Sequence, residues 1–330
     1  NKFGGMNMSK KASLIHVYNI LNKYSDETHR LTRKQIEQYL LLEYDCELNR
    51  KTLHDHIQTL NDCGCDIHFA TSAKDGYFIA QRLFEPYEIH LLCNAIYASH
   101  FIPEKASNDL IQKLFSTQSQ YMKKDFNKTV YMRNMRKTQN KEFFLNIELL
   151  TEAIQHNHPV IFDYMKYDIN KALVKRKEHK YRVHPYYMVY ANENYYLICK
   201  NDNYDNLSHY RIDKMQNIAI DEDAVRKPLQ NSFDPYDYAK SKFYMYGGKE
   251  ERIILKCKYR ILDDIIDRFG TDISLQPFDQ NHFLAIITSS RQGIIYFCLQ
   301  YLQYCEITAP IELKNEILNI LKTAVLNYNS

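Results

Sequence analysis

The chain has 330 residues, 45% of them hydrophobic and 25% charged, with a formal net charge of only +3. That length holds two or three domains of ordinary size, and the balance excludes a polycation that coats nucleic acid with its whole surface. No apolar run approaches the ~20 residues that cross a bilayer, and the first residues lack the charged-then-apolar layout of a secretory signal, so a cytoplasmic protein with no membrane partner is expected.

The first eighty residues carry the clearest pattern. Leu14, Tyr18 and Leu21 recur at i, i+4 and i+7 and predict a first amphipathic helix. Thr32 followed three residues later by Gln35 is a capping box opening a second helix with Ile36 and Leu40 inward. Asn49 can cap a third helix that buries Leu53, Ile57 and Leu60 and stops near Gly64. Ile67 and Phe69, then Lys74-Asp75-Gly76, then Tyr77 and Ile79 read as two short strands around an Asp-Gly turn. Three helices followed by a hairpin is the order of a winged helix-turn-helix. With its apolar stripe buried, the third helix turns Lys51, His54, Asp55 and Gln58 outward, where such side chains reach base edges and phosphates in the major groove.

Helical periodicity returns from Pro86 to Phe115 through Ile89, Leu92, Ile96, Leu110 and Leu114. A basic stretch follows, Tyr121 to Glu142, with seven Lys/Arg against Asp125 and Glu142. A new unit begins near Phe143 with a short helix through Ile147, Leu150 and Ile154. Five strands are expected after it, at Val160–Tyr164, Lys180–His184, Met188–Tyr190, Tyr195–Cys199 and Leu207–Ile212. One helix and five short strands suggest a small barrel. Asp221 to Lys249, with Pro228, Pro235 and Gly247-Gly248, reads as a linker. The last eighty residues alternate in the order βαββαβ, which suggests a ferredoxin-like domain. The expected organisation is therefore α+β and multidomain: winged helix at 9–83, helical connector at 84–142, barrel at 143–220, linker at 221–249 and ferredoxin-like domain at 250–330.

Basic and aromatic side chains gather near the ends of the barrel strands. Arg and Lys attract phosphate, and tyrosine faces accept stacked bases. Tyr164, Arg182, His184, Tyr196 and Arg211, with Lys214, are the candidate ligand patch; half-buried barrel tyrosines and an Arg211–Asp213 pair are the structural alternative. The segment Lys171 to Arg182 adds six Lys/Arg against Glu178, as a phosphate-binding or simply solvated face.

These units in this order resemble the bacterial WYL-domain transcription regulators. Asn49-Arg50-Lys51-Thr52-Leu53 and Asp75-Gly76-Tyr77 are similar to that family's recognition helix and wing. Leu150-Thr151-Glu152-Ala153-Ile154 before Ile161-Phe162-Asp163-Tyr164 resembles its opening helix and first strand, and Val183-His184-Pro185-Tyr186 its strand leading to proline. Tyr195-Tyr196-Leu197 falls where the Trp-Tyr-Leu signature stands, with Tyr replacing Trp. Tyr210-Arg211-Ile212-Asp213-Lys214-Met215 is similar to the closing strand, with Lys214 in place of the usual Arg, a point charge instead of a bidentate fork. His54 and Asp55 stand where the family often has basic residues, so phosphate contacts are expected from Arg33, Lys34, Arg50, Lys51 and the wing residue Lys74, beside Asn49, Thr52, His54 and Gln58 on the recognition helix. The resemblance implies an Sm-like or SH3-like barrel sensing a nucleotide or oligonucleotide, a C-terminal ferredoxin-like extension, a homodimer and double-stranded DNA as partner.

No GxGxxG, P-loop, HExxH or GxSxG motif occurs, so no catalytic residue, metal or cofactor is expected. Eight scattered cysteines are expected to be reduced thiols; Cys63 and Cys65 with His54 and His56 match no common zinc spacing. The alternatives are a nucleic-acid-binding or scaffold protein with no regulatory ligand response, and a winged helix that contacts only protein.

Overall fold

A computed structural model of the chain describes residues 10–69, 76–122, 124, 137–203, 206–229 and 250–329. The chain divides into two compact units, Asn1–Thr138 and Gln139–Ser330. Lys74, Asp75, most of the basic stretch after Met122 and most of the expected linker lie outside the described residues.

In the first unit, helices α1 (Lys10–Tyr24), α2 (Arg33–Tyr44) and α3 (Arg50–Asp62) precede the hairpin β1 (Ile67–Phe69) and β2 (Tyr77–Ile79), then α4 (Pro86–Ala98) and α5 (Glu104–Phe115). The caps form as the sequence predicts. The Thr32 and Gln35 side chains satisfy one another's backbone N–H groups, and the Asn49 side chain accepts from the Thr52 amide at 2.9 Å. Ile36, Leu40, Leu53, Ile57 and Leu60 are buried in one core with Leu31, Ile67 and Ile79. The α1 stripe differs from expectation. Val17, Ile20 and Leu21 fill the core, while Leu14 is half-buried and Tyr18 is exposed. Apolar residues occupy most of that helix, so two overlapping stripes compete and packing decides between them.

The hairpin gains a third partner, because Leu31 exchanges backbone hydrogen bonds with Tyr77 at 2.9 and 2.7 Å. Gly76 makes that approach feasible. Its φ is +87°, and a Cβ there would stand 2.8 Å from the Leu31 carbonyl carbon.

The second unit opens with α6 (Phe143–Gln155), which packs on a curled antiparallel half-barrel. The strands are β3 (Val160–Tyr167), β4 (Leu173–Lys175), β5 (Tyr181–Ala191), β6 (Asn194–Asn201), β7 (Leu207–Arg211) and β8 (Met215–Ile220). Their order is β4-β3-β5-β6-β7, with β8 also on β3. There are thus six strands where five are expected. The two segments flanking Pro185 are one strand, with a register shift between Pro185 and Tyr187; a residue lacking an N–H fits where a bulge interrupts the ladder. β4 and β8 carry too few alternating residues to read in advance, and Leu207–Ile212 ends one residue early, at a 3-10 turn over Ile212–Lys214. The hairpin joining β5 to β6 has Asn192 and Glu193 at φ 46° and 60°, the left-handed pair of a tight turn. Two buried asparagines hold the 3-10 turn. Asn140 Nδ2 donates to the carbonyls of Asp213 (3.0 Å) and Met215 (2.6 Å), and Asn146 Nδ2 to those of Ile212 (3.3 Å) and Met215 (2.7 Å).

The remaining segment follows the βαββαβ order. β9 (Glu250–Lys258), α7 (Leu262–Phe269), β10 (Ser274–Pro277), β11 (His282–Ser290), α8 (Arg291–Gln300) and β12 (Cys305–Ala309) precede α9 (Ile311–Asn329). The sheet order is β10-β11-β9-β12, antiparallel throughout, the ferredoxin-like arrangement. Its core contains Ile253, Leu255, Phe283, Ile287 and Phe297. Among the described residues no helix is long and apolar enough to cross a membrane.

Candidate nucleic-acid interface and half-barrel cluster

On α3 the burial of Leu53, Ile57 and Leu60 leaves Lys51, His54, Asp55 and Gln58 exposed, as helical geometry requires. Arg33, Arg50, Lys51, His54 and Gln58 line one concavity of about 690 Å³ between the start of α2, α3 and the hairpin. Arg50 and Lys51 stand in the first turn of α3, where the helix dipole also favours an anion. Arg33 reaches Glu37 at 3.3 Å and keeps an exposed face; Lys34 is exposed beside it. Thr52 is half-buried, and Asn49 acts first as a cap. Gln58 donates to Asp62 Oδ1 at 3.0 Å across one helical turn.

Sequence reasoning missed three members of this concavity: Asn61, Phe69 and Tyr77. The Asn61 side chain donates to the Ile67 carbonyl (2.9 Å) and accepts from the Ile67 amide (2.7 Å), which fixes the hairpin to the end of α3. Phe69 is 63% exposed at the end of β1. A polar residue in the last turn of a helix, shortly before an apolar strand, was the available signal for Asn61. His56, drawn with the cysteines, instead shares a hydrogen bond with Ser13 Oγ at 2.8 Å.

In the half-barrel the six candidate ligand residues fall into two groups. Tyr164, Tyr196, Arg211 and Lys214 form one. The buried Tyr164 hydroxyl accepts from the Arg211 amide at 3.2 Å, and burial pushes its pKa up to about 12, so it stays protonated. Tyr196 lies opposite Arg211 across the β6–β7 ladder. The Arg211 guanidinium is bidentate on the buried Asp213, with Nε at 3.0 Å and an Nη at 2.7 Å; burial opposes its charge, and Asp213 outweighs that. Burial, then Arg211, lowers the pKa of half-buried Lys214, whose Nζ is 5.8 Å from the centre of the Tyr167 ring.

Arg182 and His184 form the second group. His184 pairs with Lys200 on β6, four positions from Tyr196, or ~13 Å along the strand. Arg182 bonds Asp221 at 2.9 Å and Asp202 at 3.0 Å. Buried His184 accepts from the Lys227 amide at Nδ1 and therefore donates from Nε2 to Asp202 at 3.0 Å. Hydrogen bonds from Lys227 and His184 bring the pKa of Asp202 down to about 2, against a smaller opposing effect of burial. Sequence reasoning missed Asp202, Asp221 and Lys227 because they join from distant segments.

Among the described residues no group of three or more His, Cys, Asp or Glu side chains could hold a metal ion.

Residues 146–220 match the family model described as "WYL domain". The solved structures that match the chain include two at low identity. One is proteasome accessory factor B/C (PafBC) of Arthrobacter aurescens, at 14% identity and a TM-score of 0.29, covering all of this chain and 51% of that one. The other is described as a CRISPR Cas-related protein, at 15% identity and a TM-score of 0.38, covering all of this chain and 88% of that one. The chain thus spans about half the length of the PafBC structure. No curated protein matches its sequence. The matched interval runs from within α6 to the end of β8, so residues 146–220 of this chain form a WYL domain.

Proposed function

We propose that this protein is a WYL-type transcription regulator that docks α3 in the major groove of duplex DNA and binds without catalysing. One observation carries the reading: Arg33, Arg50, Lys51, His54 and Gln58, scattered over two helices, line a single concavity with the hairpin. Among the described residues no carboxylate pairs with Arg50 or Lys51, so their charge is available to phosphate. A second copy would bring a matching helix to the next half-site, ~34 Å away. A phosphate-bearing ligand at the half-barrel would change operator affinity by its differential affinity for two arrangements of the dimer.

The test is a salt titration of duplex affinity. Arg33, Lys34, Arg50 and Lys51 on two protomers predict a fall of about 1,000-fold or more between about 50 and about 200 mM salt. A salt-independent affinity would favour the protein-contact reading. The reading without ligand response has one observation in its favour: Arg182, His184 and Arg211 are each already engaged by carboxylates.

A further inference from the structure

The basic run Lys171 to Arg182 has no part in the interface above. In the fold, its second half becomes the wall of a separate cleft of about 460 Å³, within the size range of small-ligand sites. Among the described residues, Arg176, Lys177, Lys180 and Arg182 line it against one carboxylate, Asp202. That carboxylate is shared among Arg182, His184 and Lys227. Among the described residues no carboxylate pairs with Arg176, Lys177 or Lys180, and all three are exposed. Tyr181 and Tyr210 close the bottom, with ring centroids 5.5 Å apart at 70°, and Lys177 Nζ lies 5.4 Å from the centre of the Tyr181 ring. Like charges this close repel one another across a concave surface, and an anion of high charge density relieves that repulsion.

We propose that this cleft binds a compact oligophosphate, the moiety shared by a nucleoside triphosphate and free polyphosphate. The proposal rests on the ligand-sensing reading and moves the anion away from the Tyr164–Arg211–Lys214 group. Its cations come from seven consecutive positions, 176 to 182, and converge on one concavity. A nucleic-acid strand carries its charges singly along a backbone and is better met by cations strung over a longer groove. Arg211 is already bidentate on Asp213, whereas among the described residues Lys177 and Lys180 have no ion pair to break before meeting a phosphate: Lys177 lies against the Tyr181 ring and Lys180 feels Asp163 only at longer range.

Calorimetric titration of the full chain with inorganic tripolyphosphate, with ATP and with an eight-residue oligothymidylate tests it. Tripolyphosphate and ATP are expected to bind, at least tenfold more weakly in Lys177→Ala/Lys180→Ala and within twofold of wild type in Lys214→Ala. Similar affinities for the two probes assign recognition to the phosphates alone, and a tighter ATP adds the nucleoside. Absence of binding by both overturns the proposal. So does loss in Lys214→Ala with retention in the double variant, or a preference for oligothymidylate that depends on the same lysines. Melting curves of the variants, both altered only at exposed or half-exposed lysines, establish that they fold. Duplex affinity measured with and without tripolyphosphate separates the two readings: binding that leaves duplex affinity unchanged sinks the regulatory account and leaves the site standing.

Discussion

The groove beside α3 and the Arg211 group of the half-barrel are both rich in cations, yet they do opposite things with them. Arg50 and Lys51 stand on an exposed helical turn whose apolar neighbours are buried, so the fold presents their charge outward. Arg211 is drawn to a buried carboxylate, and its charge holds the half-barrel together. A basic residue in a sequence is therefore a candidate for binding only once its carboxylate partners are known, since an ion pair and a phosphate site need the same side chain.

Substitutions that empty the core beneath the groove should have the largest effect. Leu53→Ala removes a side chain that is 2% exposed in the helix-hairpin core and should cost about 2–5 kcal/mol of stability. Urea unfolding measures it, and a loss below about 1 kcal/mol would mean that α3 is not seated on its apolar stripe. Next comes the half-barrel. Asn146→Ala removes one of two donors from each of the Ile212 and Met215 carbonyls, which keep the Met215 amide and the Asn140 side chain respectively, for about 1–3 kcal/mol. Unchanged unfolding would show that the 3-10 turn holds without that amide.

How far the two regions were legible follows from the range of their contacts. The winged helix is built from local signals: the Thr32–Gln35 box, the Asn49 cap and the Leu53/Ile57/Leu60 stripe all act within one or two helical turns. Even there α1 misled, because Leu14, Val17, Tyr18, Ile20 and Leu21 offer more than one apolar face. In the half-barrel the decisive partners are remote. Arg182 meets Asp202 and Asp221 from 20 and 39 residues away, and no periodicity encodes that. β8 escaped notice because Asn217, at φ 53°, breaks its alternation midway. The cleft at Arg176–Arg182 was visible only as an excess of charge, since its concavity depends on how β4, β5 and the turn after β6 come together.

A smaller effect sharpens the contrast in charge use. Lys51→Ala should leave the melting temperature within about 2 °C of wild type, as surface substitutions usually change stability by under 0.5 kcal/mol. It should instead flatten the salt dependence of duplex affinity by about one unit of slope for each phosphate left without its cation. A normal slope would remove Lys51 from the interface while leaving the fold intact.

The smallest effect concerns Asp202, the carboxylate at the centre of the Arg182–His184–Lys227 group. Its pKa is brought from the usual 3.8 to about 2 in the folded chain. A lowered folded value means that its contribution to stability is fully present above pH 4 and disappears as pH falls through about 2. The side chain is 35% exposed, so solvent screening keeps that contribution below about 1 kcal/mol. Asp202→Asn should therefore melt slightly below wild type at pH 6, and the gap should narrow steadily from pH 4 downward as the wild-type carboxylate takes up its proton. A gap that stays constant over that interval would mean that the ion pairs around Asp202 contribute shape but no net charge stabilisation, and the half-barrel would then resemble the α3 groove more closely than its hydrogen bonds imply.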